Sequence, residues 1–283
     1  LTDAVLANLS KQDPSNASLF GFGSDVKAET PACKVFPGDA RWPSKKLWDR
    51  FNATVGGALI QTVPLAAPCY NNWPERDPAT CQYVTDHWSD PHLHVNDPAS
   101  TMWPLFQGRT CLPTDDPSRN CTLGGYAAYS VAATKVSQIQ LAVNFARNAN
   151  IRLVVKNTGH DFADKSIGAG ALSIWTHKLK DIRFFKDYSC KSYRGPAFKL
   201  GSGVVTEEVY QAAEQNGVTA VGGECRVSKS IFTSCMSQEL TLLHQTVGLA
   251  GGYVAGGGHS PMSTLVGMGA DQVRCTKGEA AQK

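Results

Sequence analysis

An α+β fold is what this sequence predicts, and three observations carry it. A helix-period stretch after Thr134 passes directly into a β-branched run that stops at a Gly-containing turn, and a second helix does the same after Thr206. The glycines then cluster, in 221–225, 246–260 and 269–270, more densely than turns alone require. The first 117 residues are instead rich in Pro, Asp, Ser and Cys, which reads as an extension held by disulfides.

At 283 residues the chain is long enough for one large or two medium domains, and 42% hydrophobic with 18% charged residues is ordinary globular composition. The formal charge of +3 is spread along the chain without a basic run, so neither nucleic acid nor an anionic membrane is expected as a partner. The longest apolar runs fall short of the roughly 18 residues a spanning helix needs. Nine cysteines without zinc-type spacing point to an oxidising compartment. Asn-x-Ser/Thr sequons at Asn8, Asn16, Asn52 and Asn120 agree with a secreted protein. Leu1 opens the chain with neither methionine nor a signal-like segment, so a signal peptide has been removed or the chain is a fragment.

In order, Thr2 caps a helix over 4–9, followed by a glycosylatable leader to about Ser24. Pro43-Ser44 opens a helix with Leu47, Trp48 and Phe51 on one face, and 55–63 has strand character. Cys111 and Cys121 flank a Pro/Asp/Ser loop and are expected to pair; the connectivity of Cys33, Cys69, Cys81 and Cys190 stays open. His92 and His94 would share one face of a strand, but with no accompanying ligand set they read as loop histidines rather than a metal site. Thr134 caps a helix facing inward through Val136, Ile139, Val143 and Ala146, and strand 151–156 follows. Further strands are expected at 171–176, 182–185 and 197–201. A helix over 206–216, capped by Thr206 and stopped by Gly217, leads to strand 218–221.

The chemistry concentrates at 154–162, VVKNTGHDF. A strand ends at Asn157-Thr158-Gly159 and presents His160 and Asp161, and successive N–H groups in such a turn form an anion-attracting nest. A lone Gly-His pair would read as a structural imidazole. The second block, Gly222-Gly223-Glu224-Cys225 and then Thr246-Val247-Gly248 through Gly258-His259-Ser260, changes that, because it too suits close backbone approach to a ligand.

Together with Gly269-Ala270-Asp271, these blocks resemble the FAD-binding domain of the vanillyl-alcohol-oxidase superfamily, and within it the fungal berberine-bridge-enzyme-like oxidases, over about 122–272. The resemblance implies a PCMH-type FAD-binding domain of two α/β subdomains at 118–272, an extension at 1–117, a non-homologous tail at 273–283, and absence of the C-terminal substrate domain. It implies FAD bonded covalently through His160 and also through Cys225. Cys225 would otherwise read as a buried thiol or a disulfide partner of Cys190 or Cys235. Further cofactor contacts are implied at Asn157, Thr158, Gly159, Asp161, Gly222, Gly223, Thr246, Val247, Gly248, Gly251, Gly252, Gly256, Gly257, Gly258, His259 and Ser260. His259 and Glu224 are read as neighbours of the flavin rather than reacting groups, and no catalytic base is assigned. The implied reaction takes hydride from an alcohol, sugar or phenolic substrate to FAD, with oxygen as acceptor; with 227–245 discounted, Val247 stands three positions after Cys225, where the resembling oxidases keep a small β-branched residue that admits oxygen. Two other readings remain, a flavin holder without turnover and a secreted structural glycoprotein.

The chain departs from the pattern twice. Val35 and Arg41 stand where the resemblance implies cysteines, so one disulfide is missing as a pair. Residues 227–245 interrupt the flavin-binding segment, and excising them joins GGECR to TVGLAGGYVAGGGHS. Those 19 residues correspond to 57 nucleotides, and their ends, Val-Ser and Gln, admit the GT and CAG signals of a short intron. The segment is therefore expected to be a translated intron or an insertion. The chain as written is expected to bind FAD poorly and to be inactive.

Overall fold

The computed structural model describes residues 2–12, 14, 17–22, 33–191, 193–220, 222 and 246–258. They divide into two compact units, Leu1–Ser89 with Leu93–Lys178 and Asp90–His92 with Leu179–Lys283.

The first unit is built on a four-stranded sheet. After helix α1 (Asp3–Gln12) comes α2 (Lys45–Thr54), whose N-terminus Ser44 caps by accepting from the Leu47 N–H. Strand β1 (Leu59–Gln61) is much shorter than the 55–63 expected, because Gly56 and Gly57 take φ of 71° and 80° and turn the chain first. Short helices α3 (Pro78–Asp86) and α4 (Pro91–Val95) follow, so His92 and His94 lie on a helix rather than in the surface loop expected, and His94 is buried. Then come β2 (Tyr129–Ala132), α5 (Val136–Asn148), β3 (Leu153–Lys156) and β4 (Leu172–Trp175). The order is β1-β2-β4-β3, with β1 antiparallel to β2 and β4 parallel to both β2 and β3. Every residue of β4 is buried, as a central parallel strand requires.

Helices α2 and α5 meet over this sheet. Phe51 stacks on Phe145 at 4.2 Å between ring centroids, and Trp48 on Tyr129 at 4.1 Å. The buried face of α5 is Leu141, Ala142, Phe145 and Ala146, whereas Val136 and Val143 are 67% and 38% exposed, so the expected face was rotated. Phe145 is the reason: an aromatic side chain gains more from burial than either valine and turns its own stripe inward. The N-terminal cap is not Thr134 acting alone; the Gln138 side-chain oxygen reaches back to accept from the N–H groups of Thr134 (2.8 Å) and Lys135 (3.1 Å).

A satellite cluster holds the cysteines. Cys111–Cys121 is bonded as expected, and Cys69–Cys81 is the pair that sequence left open; Cys33 is a free, exposed thiol. Trp73 and Asn72 tie the two loops by donating to the Cys121 carbonyl at 3.0 and 2.8 Å.

In the second unit the third and fourth strands expected are one antiparallel hairpin, β5 (Ile182–Cys190) and β6 (Tyr193–Leu200), each longer than expected. Helix α6 (Thr206–Gln215) follows. Its N-terminal cap is Val205, whose N–H donates to the Glu208 carboxylate at 2.8 Å, and not Thr206, whose hydroxyl donates to the Val247 carbonyl at 3.1 Å. Residues 218–220 are in no strand; the Val218 N–H returns to the Ala213 carbonyl as part of the helix end. Val204, Val209 and Leu249 form the core of this unit. Among the described residues no helix is long and apolar enough to cross a membrane.

Candidate functional site

The site in the first unit begins where β3 ends. Lys156 pairs in register with Trp175, and beyond it the chain reverses through Gly159 at φ +83°. The Gly159 carbonyl accepts the Met102 N–H at 3.0 Å. A Cβ on Gly159 would stand 3.0 Å from the Ser100 carbonyl oxygen and 3.2 Å from Thr101 Cα, so any side chain would crowd the 100–101 backbone in addition to taking a strained φ. Asn157 and Thr158 are buried beside it, and the Asn157 amide donates to the Thr176 hydroxyl at 3.0 Å, tying the turn to the end of β4.

Beneath the turn lies a polar cluster that the sequence reading missed. Lys156 is fully buried, and its ammonium donates to the carbonyls of His94 (3.2 Å) and Asp97 (2.8 Å), with the Trp175 ring 5.7 Å away. Burial pulls its pKa down to about 8 against the opposing pull of Asp97 and Asp161. The Asp97 carboxylate accepts from the N–H groups of Ala99 and Ser100 at 2.8 and 2.6 Å. His94 Nε2 faces the Trp88 carbonyl at 2.7 Å, so that nitrogen carries a proton, and Nδ1 is hydrogen-bonded with the Ser100 hydroxyl at 2.7 Å. Tyr126, whose hydroxyl burial raises well above the usual range, completes the chain by bonding Ser100. The one signal for this cluster in the sequence is a lysine in an inward position of a strand, Val-Val-Lys.

His160 stands at the mouth of the turn, half-buried. Burial first, then the Lys156 and His94 side chains, push its pKa down to about 4, with Asp161 opposing. Its imidazole is therefore neutral, the form that acts as a nucleophile or an acceptor. Asp161 is committed to Ser166, accepting its N–H at 3.3 Å and its hydroxyl, so its carboxylate shapes the following loop. Asp164, in the left-handed region at φ +46°, accepts the Phe106 N–H at 3.2 Å and closes that loop against residues 101–106.

The second glycine block belongs to the second unit. A Cβ on Gly222 would be 3.0 Å from both Leu249 Cδ1 and Thr206 Cγ2. Thr246 is buried, the Val247 carbonyl accepts the Thr206 N–H at 2.9 Å, and Gly248 bridges to Val205. Gly251 and Gly252 lie in a π-helical turn, Leu249–Val254, and Gly256 donates its N–H to the Gly252 carbonyl at 2.8 Å. Gly257 and Gly258 follow at φ +93° and +64°. Gly223, Cys225, His259 and Ser260 lie outside the described residues, as does the segment 227–245. Among the described residues no three His, Cys, Asp or Glu side chains are grouped to hold a metal ion.

This four-stranded α/β unit, with its glycine turn and neutral histidine, lies in the part of the chain that is similar to FAD-binding proteins. Residues 127–232 match the family described as FAD binding domain. The chain is 42% identical over 246 residues to a VAO-type flavoprotein oxidase of Thermothelomyces thermophilus, covering 86% of this chain and 40% of that protein. It is 44% identical over 241 residues to an FAD-linked oxidoreductase of Gibberella zeae, covering 85% and 39%. The crystal structure of a VAO-type flavoprotein from Myceliophthora thermophila C1 superposes with a TM-score of 0.74 at 41% identity, over 85% of this chain and 41% of that one. The chain thus spans about two fifths of the length of these relatives. The residues present fit FAD on their own terms: a tight glycine reversal offers backbone rather than a side chain, and a neutral, partly accessible imidazole stands next to it.

Proposed function

We propose that this chain is the FAD-binding part of a secreted oxidoreductase that oxidises an alcohol, sugar or phenolic substrate and is reoxidised by oxygen, with His160 as the covalent attachment point. The observation that carries the reading is the neutral His160 imidazole on the rigid Gly159 turn. FAD supplies the hydride-accepting chemistry; the chain's residues bind and orient it. His160 would hold the flavin through an imidazole nitrogen that gives up its proton. Gly222 and the 246–258 segment, with its successive glycines, supply backbone for the cofactor, and Cys225 supplies a second link. The test is mass spectrometry of a tryptic digest of flavin-containing protein. Flavin mass on the peptide bearing His160 is expected, and an unmodified peptide would reject the assignment.

Oxygen as acceptor rests on the small Val247 side chain. In a longer chain carrying this segment, Val247→Leu should suppress peroxide formation while leaving activity with an artificial dye. We also propose that 227–245 is a translated intron, so that mature transcripts lack its 57 nucleotides; amplification across codon 226 measures this.

A further inference from the structure

We infer that Lys156 is a positioning residue for attachment at His160: its ammonium clamps the 94–101 segment beneath the Gly159 turn and sets a positive charge next to the imidazole. This rests on the reading of His160 as the attachment point. The geometry is compact. Lys156 lies four residues before His160, and its Cε would be 3.2 Å from a Cβ on Gly159, so its stem lies directly under the turn. Its ammonium holds the carbonyls of His94 and Asp97 at 3.2 and 2.8 Å. Ser100, whose carbonyl presses on Gly159, is held in turn by the Asp97 carboxylate and the His94 ring. A single cation thus anchors both the strand end and the segment against which the turn is moulded.

The charged and titratable groups facing His160 are Lys156 from β3, His94 from the segment beneath, and Asp161 from the loop that follows. Lys156 is a cation at neutral pH, and the His94 ring, 2.7 Å from the Ser100 hydroxyl, acts on His160 in the same direction. The Lys156 charge therefore opposes protonation of His160, while Asp161 favours it. A secreted protein meets acid, and an attachment histidine that protonated at the ordinary imidazole value would lose its nucleophilic lone pair there.

The same lysine could serve only to tie β3 to its neighbour, and the two roles separate in a titration that needs no flavin. Diethyl pyrocarbonate acylates neutral imidazole, and peptide mass spectrometry isolates His160 from the other six histidines. In the chain as it stands, the rate at His160 should hold its plateau well below pH 6 and fall to half near pH 4. Lys156→Gln keeps a donor for the two carbonyls but removes the charge. It should raise the midpoint by about one unit, slowing reaction near pH 4 about fivefold and leaving that near pH 7 unchanged. Lys156→Arg should restore the low midpoint. A wild-type midpoint at the ordinary imidazole value overturns the inference whatever the variants do, and so does an unshifted midpoint in a Lys156→Gln protein with native circular dichroism. If Lys156→Gln does not fold, the Arg variant decides: a midpoint raised to the ordinary value despite the retained charge overturns the inference, and a low one supports it. Failure to find flavin on His160 would reject the functional reading without touching this titration.

Discussion

Gly159 and Gly57 have almost the same backbone conformation, φ +83° and +80°, but different surroundings. A Cβ at Gly57 meets nothing within 4 Å, while one at Gly159 meets the Ser100 carbonyl at 3.0 Å. Gly57→Ala therefore isolates the cost of the left-handed conformation, about 1 kcal/mol. Gly159→Ala adds displacement of backbone against backbone and should cost about 1–3 kcal/mol more. Urea unfolding of the two variants measures the difference, and equal midpoints would mean that the turn is not braced by residues 100–101. The sequence marked Gly159 as a turn residue, because glycine after a β-branched run is a local signal. It could not reveal what braces the turn, since Ser100 and Thr101 lie 58 or more residues away.

At the scale of elements, α5 is the helix whose existence was plain and whose orientation was not. Apolar residues occur around much of its circumference, so periodicity alone admits two faces; contact with Phe51 and Trp48 on α2 selects the one containing Phe145. Phe145→Ala should destabilise the protein by about 3–5 kcal/mol, while Val136→Ala, at an exposed position, should stay within about 0.5 kcal/mol. Thermal melts of the two variants check this directly. The Cys111–Cys121 bridge closes a loop of separation 10, and replacing both cysteines by serine should cost about 2–4 kcal/mol. An unchanged melting temperature would show that Asn72 and Trp73 hold the loop without it.

Across the whole molecule, the buried bases set how stability follows pH. The folded-state pKa of His160, about 4, lies below the ordinary 6.5, so between these values the unfolded chain takes a proton that the folded chain refuses. Its contribution is complete above about pH 6.5 and is lost as pH falls toward 4. Lys156, about 8 against 10.5, acts in the same direction, so its contribution rises with pH above about 8. Urea midpoints should therefore fall on acidification below pH 6.5, and His160→Gln should flatten that slope; an identical slope would place the acid sensitivity elsewhere.

The sequence by itself determined the α+β class, the helix–strand–turn that carries His160, and the Cys111–Cys121 pair, because each is written in residues close together in the chain. Likeness of motif, read from the glycine blocks, carried it further to the FAD-binding domain. Only the tertiary structure decided that the β5 and β6 strands form one hairpin, that Cys69 pairs with Cys81, and that a charged lysine lies under the Gly159 turn. The physical reason is shared: strand pairing, disulfide partners and the solvation of a buried charge depend on which distant segments meet. Lys156 looks like a surface residue by its type, and becomes the floor of the site only because the carbonyls of His94 and Asp97 arrive to replace its water.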